Sequence, residues 1–203
     1  MTSLKPLRPR SAAWLTLSAL AFAPLLCAQP SANDLDRALQ TLKRLVTDRN
    51  FRELGFETRG EVEAPTLDVP LRRYFITNAA LVAFEGKVDP VSLLRVGGEL
   101  LFPVRAGNRI RCFIMMANRG KGWQAVSFGK AEIATALTSA RASQSKAAKL
   151  PATSFFAVDI QALSSYVLGW RSDGRLPEDK SNGNLFLLSV PIKGMRLPGP
   201  VDP

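Results

Sequence analysis

Apolar residues recur at Leu35, Ala38, Leu39, Leu42, Leu45 and Val46, the i, i+3, i+4, i+7 spacing that lines one face of an α-helix. Asp36, Arg37, Lys43 and Arg44 fall on the other side. Asn33 or Asp34 is placed to cap this helix, and the pattern can continue through Phe51 and Leu54 to a stop at Gly55. Residues 56–69 lose the period. Glu57, Glu61, Glu63 and Asp68 with Gly60 and Pro65 read as a loop or an irregular edge strand. From Leu71 to Thr77 aromatic and β-branched residues alternate with Arg72 and Arg73, which predicts a strand. Ala79–Phe84 suits a short helix before Gly86, and Asp89-Pro90-Val91 opens a further turn through Leu94.

The clearest pattern lies between Glu99 and Phe128. Apolar strands are expected at Leu100–Val104, Arg109–Met116 and Trp123–Phe128, separated by the turns Ala106-Gly107-Asn108 and Asn118-Arg119-Gly120-Lys121-Gly122. Connections this short force antiparallel neighbours, so the three strands form a meander. A helix is expected from Ala131 to about Arg141 through Ile133, Ala136, Leu137 and Ala140. The Ser-, Ala- and Lys-rich residues 138–150 read as its fraying end or a mobile linker. Ser154–Ile160 reads as a strand, Gln161–Leu168 as a short helix, 171–184 as an exposed loop, and Leu185–Val190 as a last strand. The fold class this predicts is α+β. An antiparallel sheet with a central three-stranded meander packs against an N-terminal helix and one later helix. The expected organisation is a signal peptide over 1–28, one domain over 29–195 and an irregular tail over 196–203.

The first 28 residues change the picture by assigning a compartment. Lys5, Arg8 and Arg10 precede an uncharged run from Ala12 to Leu26 containing Trp14, Leu15, Leu17, Leu20, Phe22, Leu25 and Leu26. Such a basic start and apolar run has the form of a secretory signal peptide. It is shorter than the roughly 20 residues a membrane-spanning helix needs, and Pro24 interrupts it, so no transmembrane helix is expected in the mature chain. Two cleavage sites compete. Ala21-Phe22-Ala23 is followed by Pro24, whereas Leu26-Cys27-Ala28 places Ala at the cut and is preferred. Leu26 stands where a small residue would precede a lipid-modified Cys27, which argues against a lipid anchor there. The expected location is periplasmic or secreted.

Lys and Arg number 27 against 17 Asp and Glu in the 203-residue chain, a net charge of +10, and residues 29–203 retain +7. After cleavage only Cys112 remains, so no intramolecular disulfide can form despite an oxidising destination. Its neighbours Ile110, Ile114 and Met116 make it a small core residue rather than a nucleophile.

The chain has no histidine. That removes His-assisted nucleophiles, the usual zinc sets and the commonest general base near neutral pH, and it points away from enzymes. Two catalytic patterns remain to be weighed. Ser143-Gln-Ser-Lys146 matches S-x-x-K but lacks the companion K-T-G and S-D-N motifs. The carboxylates Glu57, Glu61, Glu63 and Asp68 fit no calcium loop, and as a charge run they read first as a solvated edge. Gly97-Gly98 and Gly120-Lys-Gly122 carry no nucleotide fingerprint and read as turns.

The basic residues on strands offer a binding surface. Strict alternation puts Arg109, Arg111, Phe113 and Met115 on one face of their strand, opposite Ile110, Cys112, Ile114 and Met116. If the second set faces the helices, the first forms a positive, partly apolar outer surface, joined by Arg72, Arg73 or Trp123. An acidic protein, an anionic envelope polymer or lipid head groups would fit it. Nucleic acid is disfavoured by the compartment and by the lack of a known binding motif. No cofactor is expected. The leading expectation is an exported, non-enzymatic binding domain acting as an adaptor, inhibitor or accessory subunit. The alternative is a small exported hydrolase using carboxylate or Ser-Lys chemistry.

Overall fold

A computed structural model describes residues 29–87 and 89–190. The expected signal peptide and the 196–203 tail lie outside the described residues. Helix α1 (Ala32–Leu45) is capped by Ser31, two or three residues before the expected Asn33 or Asp34. Ser31 accepts from the Asp34 backbone N–H, and the Asp34 side chain accepts from the Ser31 backbone, a capping box that uses Asp34 as its third residue. The helix ends at Leu45. The chain then passes through turns to Gly55 rather than continuing as helix.

Strands β1 (Thr66–Leu67) and β2 (Leu71–Ile76) both run along β3 (Arg95–Ala106), which pairs through a hairpin with β4 (Arg109–Asn118) and then β5 (Trp123–Gly129). The expected meander is present. Helix α2 (Asn78–Val82) intervenes between β2 and β3, followed by a 3-10 turn at Pro90–Leu93. After β5 comes α3 (Ala131–Ala148), then β6 (Phe155–Ile160), β7 (Ser165–Arg171) and β8 (Leu185–Ser189). The sheet order is β5-β4-β3-β2-β6-β7-β8, with β1 beside β3. Only β2 and β6 are parallel among the described strands; their connection contains β3–β5 and α3. The protein is an α+β fold on a mostly antiparallel mixed sheet.

Three local expectations are corrected. Helix α3 runs through residues 138–148 instead of fraying: alanine has high helix propensity, and the Ser145 hydroxyl donates to the Leu150 carbonyl beyond its end. In place of a helix over Gln161–Leu168, one 3-10 turn at Gln161–Leu163 leads through a left-handed Ser164 into β7. Tyr166 and Leu168 then face one core and Val167 another, the period-two burial of a strand covered on both sides. Gly97 and Gly98 lie inside β3 rather than in a turn. The β2–β3 register shifts between Arg72 and Tyr74 where these glycines pass, and Gly98 has a φ of +70°.

The sheet buries both faces. On one, α1 and the segment to Val62 cover Leu100, Phe102, Val104, Cys112, Ile114, Met116 and Trp123. Across the same face, Leu93, Leu94, Leu176 and Leu185 pack on Tyr74, Phe156, Val158 and Val167. On the other face α3 contributes Ala134 and Leu137 to a core with Leu71, Leu101, Phe113, Phe155 and Leu168. Cys112 is fully buried, and burial pushes its thiol up to about 12, as suits a core residue. Among the described residues no helix is long and apolar enough to cross a membrane.

Candidate functional site

The end of the β3–β4 hairpin meets the flank of α3, and a hollow of about 460 Å³ opens between them. Arg105, Asn108, Arg109, Ile110 and Arg111 line one wall, and Thr135, Thr138, Ser139 and Ala142 line the other. A β-bulge shapes this wall. Val104 pairs with Cys112 while Arg105 pairs with Ile110, so Arg111 is an extra residue with no partner position across the ladder.

That bulge overturns the facing of Ile110 expected from strict alternation, while Phe113 and Met115 stay opposite Cys112, Ile114 and Met116. It shifts the phase by one residue, and Ile110 joins Phe113 and Met115 against α3. Phe113 keeps its expected side, opposite Cys112 and Ile114, but α3 covers that side, so it is buried and does not belong to an outer surface. Trp123 is likewise buried, in the core beneath α1. Arg111 is buried too, at 8% exposure, while Arg109 remains exposed.

Arg72 and Arg73 do not extend the site. In the ladder, Arg72 pairs with Leu100, six residues along β3 from the Ala106 that pairs with Arg109, a separation of about 20 Å. Each arginine also has acidic partners. Arg72 is paired with Glu178, which also accepts from the Tyr74 hydroxyl. Arg73 reaches Asp159 at 2.5 Å and Glu99 at 3.3 Å.

The carboxylates of the aperiodic 56–69 segment turn out to be counter-charges. Glu57 Oε1 accepts from Arg109 at 2.6 Å and Arg111 at 2.9 Å, and Glu61 accepts from both Arg111 Nη2 and the Glu57 backbone N–H. Asp68 is carried beside Arg105 by β1, whose Thr66 and Leu67 pair with Arg105 and Val104. Its Oδ2 accepts from Arg105 at 2.6 Å, and Arg141 of α3 lies 3.8 Å from its other oxygen while donating to the Val69 carbonyl at 2.6 Å. Burial lowers the Arg141 pKa from its ordinary value, with the Arg105 charge acting in the same direction and Asp68 opposing. Glu63 pairs with Arg59 instead.

Two polar atoms at this site are buried without a hydrogen-bond partner: Arg111 Nε and Thr138 Oγ1. Thr138 is 8% exposed. A buried hydroxyl or N–H left unpaired is unfavourable, because it has given up water without replacement. Both belong to residues lining the hollow, so the site holds donors that nothing inside the protein satisfies.

The carboxylates tie this region to pH. Glu57 is lowered from the ordinary carboxylate range, first by the Arg111 hydrogen bond, against desolvation, with the Arg109 and Arg111 charges adding. For Asp68 burial acts upward and is outweighed by hydrogen bonds from Arg105 and the Val69 N–H and by the Arg141 and Arg105 charges, so it too ends lowered. A depressed folded-state pKa contributes stability that is present above the unfolded value and disappears as pH falls through the folded one. Urea midpoints should therefore hold from neutrality to about pH 5 and fall as pH drops below about 4. A midpoint that rises below about pH 4 would contradict these pairings.

Sequence reasoning named Arg109 and Arg111 but missed Arg105, Thr138 and Arg141. Arg105 falls just beyond the expected strand Leu100–Val104, and Thr138 and Arg141 fell in a stretch read as a fraying helix end or a mobile linker. Ser143 and Lys146 are both exposed on the last turns of α3. No group of three or more metal-ligating side chains occurs among the described residues. The site defines a basic groove on an α+β domain. Comparison with protein-family models, with curated proteins and with solved structures finds no match to this chain.

Proposed function

We propose that this is an exported binding domain that receives an acidic partner at the groove between the β3–β4 hairpin and α3. It serves as an adaptor, inhibitor or accessory subunit in the cell envelope or outside it. The observation that carries the reading is the convergence of Arg105, Arg109 and Arg111 on one hollow with the polar flank of α3. Its volume lies within the range of ligand sites. The basic net charge of the chain supports long-range attraction of an acidic partner. The basic start and apolar run before Ala28 support export, with cleavage leaving Gln29 first.

Arg109 is the residue to reverse, because its side chain is 68% exposed and its loss leaves the core untouched. Arg111 is unsuitable, since reversing a buried cation beside Glu57 and Glu61 threatens folding. With hexaglutamate as probe, calorimetry should show binding that weakens with added salt and falls about tenfold or more in Arg109→Glu. The variant should melt close to the parent. Equal affinity in the two proteins would overturn the assignment of the groove. An intact mass beginning at Gln29 is the expected product of export, and a host-expressed protein retaining residues 1–28 would contradict that half of the proposal.

A further inference from the structure

We infer that the groove recognises a single carboxylate, an acidic side chain or a C-terminus of the partner, through Arg111 Nε and Thr138 Oγ1. The inference rests on the acidic-partner reading and narrows its chemistry. Four arginines meet around the site, Arg105, Arg109, Arg111 and Arg141, against the three carboxylates Glu57, Glu61 and Asp68. One positive charge is left over. Glu132 lines the adjoining hollow and is not part of this one. A monoanion balances that excess, whereas a phosphate dianion would overshoot it in a partly desolvated site.

The donor inventory agrees, since Arg111 and Thr138 both line the hollow. Both terminal nitrogens of Arg111 already donate to Glu57 and Glu61, which leaves its Nε–H as the unpaired donor. One N–H and one hydroxyl suit the two oxygens of a carboxylate. The side chain of Arg111 is 9% exposed and that of Glu57 57%, so the guanidinium is fixed while Glu57 can swing away. Glu57 thus acts as an internal competitor, a carboxylate already resting on the arginines an incoming carboxylate would approach.

Acetate, inorganic phosphate and neutral acetamide are the probes, titrated into the intact ¹⁵N-labelled protein at constant ionic strength. The Arg111 Nε–H resonance should shift saturably with acetate, with little response to acetamide and weaker binding of phosphate. Thr138→Val should weaken acetate about tenfold, Thr138→Ser should restore it, and Glu57→Gln should tighten it about two- to fivefold. An unmoved resonance, unchanged affinity in Thr138→Val, or phosphate binding more tightly than acetate would overturn the inference. Hexaglutamate binding that needs Arg109 yet ignores Thr138 and Glu57 would refute the carboxylate pocket and leave the acidic-partner reading standing.

Discussion

Gly55→Ala should destabilise the protein by about 3 kcal/mol or more, since it combines overpacking with forbidden backbone geometry. Gly55 has a φ of +93°, outside the space an L-residue enters without strain. A Cβ there would lie 2.1 Å from the Arg111 carbonyl oxygen and 2.5 Å from the Ala131 Cβ. The contacts explain why the position must be bare. Gly55 is where the N-terminal segment presses against the bulge of β4 and the first residue of α3, and Glu57 follows two residues later to reach Arg109 and Arg111. The same substitution should therefore also loosen the groove. Urea unfolding gives the stability, and hexaglutamate affinity in whatever fraction stays folded gives the geometry. A variant within about 0.5 kcal/mol of the parent, the usual range for neutral surface changes, would show that the segment does not sit this closely.

Asp68→Ala should cost about 2–3 kcal/mol, below the figure for a fully buried pair because the Asp68 side chain is 24% exposed. Its loss strands Arg141, whose side chain is only 4% exposed and keeps a hydrogen bond to the Val69 carbonyl but no carboxylate. An uncompensated buried cation is the expensive species, so the cost should depend on Arg141 being charged. In the double variant Asp68→Ala/Arg141→Met, most of the lost stability should return, since a hydrophobic side chain of similar length fills the same space. Additive losses in the double variant would contradict this account of the pair. Asp68→Ala should also flatten the acid limb of the stability profile, because one lowered carboxylate has been removed.

The meander between Glu99 and Phe128 was legible because its strands are apolar and its turns carry Gly and Asn. The bulge at Arg111 was not, because alternation counts residues while a bulge inserts one without changing composition. That single insertion moved Ile110 to the α3 side and left Arg111 buried among carboxylates, while Phe113 is buried because α3 covers the face expected to be open. The pairing of Glu57 and Glu61 with arginines more than 45 positions away is a tertiary fact with no local signal. Tyr166, Val167 and Leu168 matched a helical face and a doubly buried strand equally well, and covering both faces of β7 decided for the strand. Helix α3 was underestimated because residues 138–148 lack large apolar side chains. The buried residues there are Thr138 and Arg141, which a hydrophobic pattern does not count.

An acidic ligand is expected to enter between the β3–β4 hairpin and α3. Backbone amide shifts in the intact protein titrated with hexaglutamate test it most directly. Saturable shifts should concentrate at residues 105–111 and 135–142 and be abolished in Arg109→Glu. Saturable shifts centred instead on Arg72, Arg73 and the 171–184 loop, or no saturable shifts at all, would contradict it.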